Sequence, residues 1–286
     1  MPTFGELVDI LETWFSYPYL NGDYIFYGIV IAFVIGAIWL LSHWPPLKKH
    51  PWLWAVAVAS AFVTLLAFVF IEVPVRSAVQ IYILEKIWDA WTLSDWLLLS
   101  TIPFVLIIGL VQEGAKMVPM VFWWARSGRN ISPRIGLAIG AMAGAGFGVF
   151  QAIWLNNQAI LPTVGLPWDA ASLGFEGGFA AYWEIFFMVG FHVAASAIAG
   201  YGLAKGKGLG LYLLAALLHA IVSYGTILQI ELDLSILQIE MYIAGIAVLV
   251  TAGILMYRWR KTDDDTMEPM EPVEIEEPVE PAESDV

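Results

Sequence analysis

The sequence predicts an all-α polytopic membrane protein, a bundle of about seven transmembrane helices with additional interfacial helices. Mean hydropathy is +0.74, and 59% of the 286 residues are hydrophobic whereas only 14% are charged. A soluble domain of this length does not need so much apolar surface for its core. Many of the 14 tryptophans and 11 tyrosines stand at the ends of apolar runs, which fits the aromatic belts at the headgroup level of a membrane.

Residues 1–23 form the first predicted segment, a helix lying on the outer surface of the membrane. Phe4, Leu7 and Leu11 recur at helical spacing, and Glu6 and Asp9 fall on the opposite face. The stretch lacks the basic region that begins a cleaved signal peptide. We therefore expect an external interfacial segment ahead of the bundle.

The transmembrane bundle is predicted over residues 24–261. Seven apolar runs are long enough to cross a hydrocarbon core about 30 Å thick. Between the second and third runs, residues 76–95 mix apolar and charged side chains and predict another interfacial helix. The predicted runs are 24–41, 52–71, 96–124, 135–155, 180–204, 209–228 and 237–257.

Lysine and arginine are distributed unequally between the two sides that these runs define. One side carries ten of them, the other carries only Arg76 and Lys86, and Lys116 lies within a run. The positive-inside rule then predicts a multi-pass protein with its N-terminus outside and its C-terminus cytosolic. The ten basic residues are Lys48, Lys49, Arg126, Arg129, Arg134, Lys205, Lys207, Arg258, Arg260 and Lys261.

The net charge of −13 belongs mainly to the C-terminal tail. Residues 263–286 carry eleven acidic side chains and no basic one, in repeated Glu-Pro units. Such a composition cannot bury enough apolar surface to offset the entropy of ordering, so 262–286 is predicted to be a disordered acidic cytosolic tail. The tail could simply solvate the protein or dock a basic partner. The chain has no cysteine, which excludes disulfides and thiolate chemistry.

Three ionisable side chains from three runs are predicted to share one depth in the membrane. Glu113, His192 and His219 each lie ten to twelve residues from the basic end of their run, or roughly 15 to 18 Å at 1.5 Å per residue. Lys116 follows Glu113 by one turn. Charges at this depth are costly and face a protein interior or a water cavity, so the site helices are expected within 96–228.

Glycines at every fourth position of the fourth run predict its closest contact. Gly136, Gly140, Gly144 and Gly148 form a stripe without side chains, against which a neighbouring helix can pack. Gln151 continues this stripe toward the outer half of the membrane, so its amide should face the bundle. The fifth run also contains small residues that would allow close packing. In that run Ser196 follows His192 by one turn.

Four ordered motifs resemble those of the PrsW-type intramembrane proteases, which belong with the CPBP and CAAX prenyl protease type II superfamily. They are Gln112-Glu113-Gly114-Ala115-Lys116, the stretch 146–151, Phe191-His192 leading into 200–202, and Leu218-His219. The resemblance covers about residues 96–225. It implies a helical protein of the plasma membrane of a prokaryote that hydrolyses peptide bonds of a membrane-anchored protein substrate.

The resemblance also implies roles for individual residues, with two departures. Glu113 matches the second Glu of the family's Glu-Glu-x-x-Lys/Arg motif, Lys116 its basic residue, and His192 and His219 its later histidines. Gln112 stands where the family has the first Glu, and Gln151 where PrsW-like members usually have Glu. An amide cannot accept a proton as a carboxylate does. A catalytically impaired pseudoprotease, acting as a membrane scaffold or receptor, is therefore the alternative function.

The chemistry of Glu113, His192 and His219 allows two kinds of hydrolytic site. The three side chains could bind one divalent metal such as Zn²⁺ and leave a position for water. Without a metal, Glu113 could act as the base while the histidines stabilise an oxyanion. No short metal signature such as His-Glu-x-x-His is present. Lys116 is expected to be the internal counter-ion of Glu113.

Other classes remain open or are excluded by sequence. A Glu-His-His cluster at the midplane also suits a proton-coupled transporter, although no inverted repeat is evident. Glu113 and Lys116 could also neutralise one another without further function. A retinal protein is excluded because the last run has no lysine. Beyond ordinary basic loops nothing supports nucleic-acid binding.

Overall fold

The computed structural model describes residues 1–166 and 180–260, and within these ranges the ordered elements are helices without a strand. The first short helix, α1, is followed by two long helices, α2 and α3, and a short helix α4. Five long helices complete the described chain. The bounds are α1 Phe4–Thr13, α2 Gly22–His43, α3 Leu53–Ile87, α4 Ala90–Asp95, α5 Leu97–Arg126, α6 Pro133–Thr163, α7 Ala180–Ala204, α8 Gly208–Leu232 and α9 Ile236–Arg260.

Seven of these helices, α2, α3 and α5 to α9, are long and apolar enough to cross a membrane. This confirms the predicted all-α polytopic bundle. The helix ends with Lys48, Arg126, Arg134 and Lys205 form what we call the basic face, and the other ends form the opposite face. The predicted tail lies outside the described residues.

The helix of the second span is longer than predicted, and residues 76–87 of the predicted interfacial helix continue this span instead of forming a helix of their own. Helix α3 continues past Ile71 to Ile87 through two π-helical turns, Phe68–Glu72 and Gln80–Leu84, and only the short α4 follows. The apolar pattern ends at Glu72, but Arg76 pairs with Glu72 at 3.4 Å one turn later, so the charge does not end the helix.

Helices α6 and α7 pack along the predicted glycine stripe. A Cβ added at Gly136 would meet the backbone of Gly200, and one added at Gly140 or Gly144 would meet the backbone of Ser196 or His192. Only glycine permits two helix backbones to approach so closely. This contact brings the helix that carries His192 against the centre of the bundle.

Helix α1 is capped and anchored on the opposite face. Thr3 and Glu6 form a capping box, and the hydrogen bonds from Thr3 lower the pKa of Glu6 below its usual value. Trp14, just after the helix, stacks on Trp154 with ring centroids 4.8 Å apart. Gln158 donates to the carbonyls of residues 13 and 16. The predicted N-terminal helix is thus present and is held to α6.

Candidate functional site

Helix α5 presents an ion pair to the centre of the bundle. Lys116 Nζ lies 2.5 Å from Glu113 Oε1, and both side chains are inaccessible to solvent. Residues three apart share one helix face, so the pair forms without distortion of the helix. The predicted internal counter-ion of Glu113 is therefore in place.

Two further helices add hydrogen-bond donors to Glu113. His219 Nδ1 of α8 lies 2.8 Å from Glu113 Oε1, and Ser196 Oγ of α7 donates to Oε2 at 3.3 Å. An Nδ1–H that donates to the carboxylate leaves Nε2 of a neutral His219 as an acceptor. Each carboxylate oxygen of Glu113 is thus engaged, and the oxygen bonded to Ser196 has the weaker interaction.

His192 of α7 connects the ion pair to Gln151 of α6. Its Nδ1 lies 3.1 Å from Lys116 Nζ, and its Nε2 lies 2.8 Å from Gln151 Oε1. An ammonium group can only donate, so Nδ1 accepts and Nε2 carries the proton that is donated to the amide oxygen. Phe147 packs edge-on to the His192 ring at 5.3 Å. The neutral imidazole is therefore held in one tautomer from both sides.

The structure brings five of the six candidate site residues together and separates the sixth. Glu113, Lys116, His192, His219 and Gln151 form one chain of hydrogen bonds across four helices. We refer to these five residues as the central cluster. The depth shared by Glu113, His192 and His219, calculated from helix rise alone, agrees with this arrangement.

Gln112 faces a different partner. Its Nε2 donates to Glu72 Oε2 of α3 at 3.0 Å, whereas the next residue, Glu113, faces the histidines. Adjacent helix positions point about 100° apart, which explains the separation. Gln112 Oε1 is buried without a hydrogen-bond partner among the described residues.

Glu72 is the polar group that the sequence reasoning missed. It is 1% exposed and accepts from Gln112 and Arg76. The available signal was a carboxylate directly after the apolar run 52–71, followed by an arginine one turn later. A charge at the end of an apolar run is typical of the membrane interface, so the sequence alone predicts that the span ends here.

The central cluster can carry its charges inside the bundle because they balance. The Glu113 carboxylate and the Lys116 ammonium sum to zero, and their lone pairs and protons are directed at His192, His219 and Ser196. A buried pair offsets its desolvation cost only when such additional hydrogen bonds exist.

The same geometry bears on metal binding. One ligand atom from each of Glu113, His192 and His219 lies within 4.8 Å of the others, so the buried group could hold a metal ion. Lys116 contacts two of these ligands, Glu113 Oε1 and His192 Nδ1. A metal bound through these two atoms would therefore compete with the Lys116 ammonium for them.

A cleft of about 480 Å³ lies near the basic face, between α5, α7 and α8, and none of the residues that line it belongs to the central cluster. Gly114, which directly follows Glu113, and Met117, which directly follows Lys116, line it together with Tyr212. Tyr212 donates to the carbonyl of Leu110 at 2.9 Å, which joins α8 to α5.

No family model, no curated protein and no solved structure matches the chain.

Proposed function

We propose that the protein is an intramembrane endopeptidase of the PrsW/CPBP type that cleaves membrane-associated protein substrates. The observation that carries this proposal is the central cluster, in which a buried carboxylate, two imidazoles and an ammonium group meet in the interior of apolar helices. Such a set contains a base for water and donors for an oxyanion.

The residues divide the hydrolytic work according to their hydrogen bonds. Glu113 accepts the proton of the attacking water at Oε2, whose bond from Ser196 is the longer one at 3.3 Å. Lys116 supplies positive charge to the tetrahedral oxyanion, and His219 holds the carboxylate in place from Nδ1. Gln151 fixes the tautomer of His192 by accepting from Nε2. The return of the proton to the leaving amine completes the reaction.

A bound divalent metal such as Zn²⁺ would be held by Glu113, His192 and His219 and would supply a Lewis acid for the scissile carbonyl. Lys116 would leave these ligands when the ion binds. Replacing Lys116 with Met should therefore raise the metal content of the purified protein, measured by elemental analysis.

The cleft between α5, α7 and α8 is the proposed route for the substrate. It opens at the basic face, which the positive-inside rule assigns to the cytosol of a plasma-membrane protein. An unfolded segment of a membrane-anchored protein would enter beside Gly114 and reach Glu113 from that side.

Cleavage assays on the purified chain in lipid nanodiscs test the proposal. A set of single-span membrane proteins is incubated with wild type, Glu113→Gln and His192→Ala, and fragments are identified by mass spectrometry. Glu85→Gln and His50→Ala are matched controls, because neither residue belongs to the central cluster. We expect cleavage by wild type and by both controls, and at least a 100-fold loss in the two site variants.

The pseudoprotease alternative gives a different result in the same assay. Wild type would then bind a membrane-protein substrate without cleaving it. That finding would reject hydrolysis as the function of the central cluster.

A proton-coupled transporter is the second candidate, because the central cluster is one continuous chain of hydrogen-bonding groups. Groups in such a chain can relay protons. Proteoliposomes with a pH-sensitive dye inside distinguish the two functions. Proton flux that is abolished by Glu113→Gln supports transport, whereas hydrolysis predicts no flux above that of empty liposomes.

A further inference from the structure

Helix α1 packs across α3 and α6 at the opposite face. We call residues 3–16, which comprise α1 and its two ends, the cap. Leu7 and Trp14 of the cap belong to one buried apolar cluster with Leu65 of α3 and Phe147 of α6. The cap is therefore part of the core at this end of the bundle, although α1, with ten residues, is too short to span a membrane.

Helix α6 connects the cap to the central cluster. Phe147 packs edge-on to the His192 ring at 5.3 Å. Phe150 stacks on Trp14 with ring centroids 5.6 Å apart, and the next residue, Gln151, lies 2.8 Å from His192 Nε2. These positions of α6 are three and four residues apart, so the same helix face meets the cap and His192.

The central cluster is closed to solvent while the cap is in place. Glu113 and His192 are 1% and 0% exposed. Any reaction that uses water at these groups therefore requires part of the bundle to open. Segments with few contacts to the core open at the lowest free energy, so the weakest attachment near His192 is the one that decides access.

The cap has few polar attachments to the bundle. Within residues 1–166 and 180–260, its hydrogen bonds to other helices both come from Gln158, which donates to the carbonyls of residues 13 and 16 at 2.6 and 2.8 Å. A cleft of about 500 Å³ lies between the cap and Ser77 and Ile81 of α3. Residues 17–21 join the cap to α2 without forming a helix. The cap can therefore lift from α3 and α6 while the spans stay packed.

We propose that the cap is a lid, which closes the central cluster at the opposite face and gives water access to it by lifting from α6. In the closed arrangement the cap buries Phe147, which lies against the His192 ring. When the cap lifts, Phe147 loses Leu7 and Trp14 as neighbours and can turn away from His192. This access would exist whatever the chemistry of the cluster, and only a consequence for cleavage, a faster reaction in variants with a weakened cap, rests on the proposed function.

The reactivity of a thiol inside the site tests the lid, because the chain has no cysteine of its own. Ser196→Cys exchanges a hydroxyl for a thiol beside Glu113, at a position that is 0% exposed. The purified full chain in lipid nanodiscs is treated with a small charged methanethiosulfonate reagent, which reaches thiols from water, and the modified fraction is followed by mass spectrometry. This measurement requires no hydrolysis, so its outcome is separate from that of the cleavage assay.

Variants of the cap attachment should change the rate of this labelling. Trp14→Ala and Gln158→Ala, each combined with Ser196→Cys, should raise the rate at least tenfold, because each removes contacts that hold the cap in place. Tyr19→Ala is the matched control and should leave the rate unchanged, since it removes an aromatic ring that is 85% exposed. An unchanged rate in both cap variants would overturn the proposal.

A second reporter distinguishes the lid from general loosening of the bundle. Ala247→Cys is fully buried in α9, in an apolar cluster of α7, α8 and α9 that does not include the cap. Its labelling rate should stay the same when Trp14→Ala is added. Equal acceleration of both reporters would overturn the lid, because the whole bundle would then open more often. Faster labelling of Ser196→Cys alone, without cleavage by any variant, would support the lid and reject the peptidase.

Discussion

Lys116 is the residue whose charge links Glu113 to His192 in the site. It is fully buried, and its ammonium contacts both Glu113 and His192. A buried ammonium is tolerated only while its partner carries the opposite charge. The stability of the bundle and the chemistry of the site therefore depend on the same pair.

Removing one partner of this pair should be costly, whereas removing both should not. Glu113→Gln leaves Lys116 uncompensated and should lower the free energy of unfolding by about 3 to 5 kcal/mol. The double variant with Lys116→Met should recover most of this loss. Unfolding in SDS, applied as a double-mutant cycle, measures the coupling. Additive effects would contradict the ion pair.

Gln112→Glu tests the direction in which residue 112 faces. The new carboxylate would lie against Glu72, about where the amide now donates at 3.0 Å. We expect a loss of about 1 to 3 kcal/mol in stability and no gain in cleavage. The exchange Gln112→Glu with Glu72→Gln should restore stability, because a donor again faces an acceptor. Increased cleavage by Gln112→Glu alone would mean that residue 112 belongs to the central cluster.

Some residue-level features were predictable and others were not. The level shared by Glu113, His192 and His219 follows from a fixed rise per residue, so the sequence was sufficient. The orientation of Gln112 was not predictable, since it depends on which neighbouring helix meets that face. Glu72 was missed for the same reason, because its partner Gln112 is 40 residues away in sequence.

At the scale of elements, the contact between α6 and α7 determines where His192 lies. The glycine stripe predicts this contact because small residues at every fourth position allow two helices to pack closely. No comparable pattern predicts the length of α3. Its π-helical turns and the Glu72–Arg76 pair continue the helix beyond the point at which the apolar pattern stops.

Gly140→Ala should separate α6 from α7. The added Cβ would meet the backbone of Ser196, which cannot move aside as a flexible side chain can. We expect about 1 to 3 kcal/mol of destabilisation, measured by unfolding in SDS. Gly245→Ala in α9 is the matched control, because nothing lies within 4 Å of its added Cβ. An equal effect of both substitutions would show that helix propensity, rather than close packing, governs the result.

At the scale of the whole molecule, the predicted orientation would place the cleft between α5, α7 and α8 on the cytosolic side of the membrane. The absence of cysteine makes a direct topology experiment possible. Tyr19 is 85% exposed before α2, and Asn130 is exposed between α5 and α6, so the two positions lie on different sides of the bundle. A thiol introduced at either position can be reached without disturbing the core.

Single cysteines at these two positions should label differently in intact cells. A membrane-impermeant maleimide should react with Tyr19→Cys at once and with Asn130→Cys only after permeabilisation. We expect this difference because Lys and Arg are in excess around Asn130, and by the positive-inside rule such loops remain in the cytosol. The reverse labelling pattern would show that the protein has the opposite orientation and that the proposed substrate route opens outside the cell.

The central claim is that Glu113, within its cluster, directs water at a peptide bond inside the membrane. The most direct test uses a substrate that the cleavage assay has identified. The purified protein hydrolyses it in H₂¹⁸O, and the new C-terminus is analysed by mass spectrometry. We predict one ¹⁸O atom in that carboxylate for wild type and no product above background for Glu113→Gln. Equal product from wild type and Glu113→Gln would contradict the account.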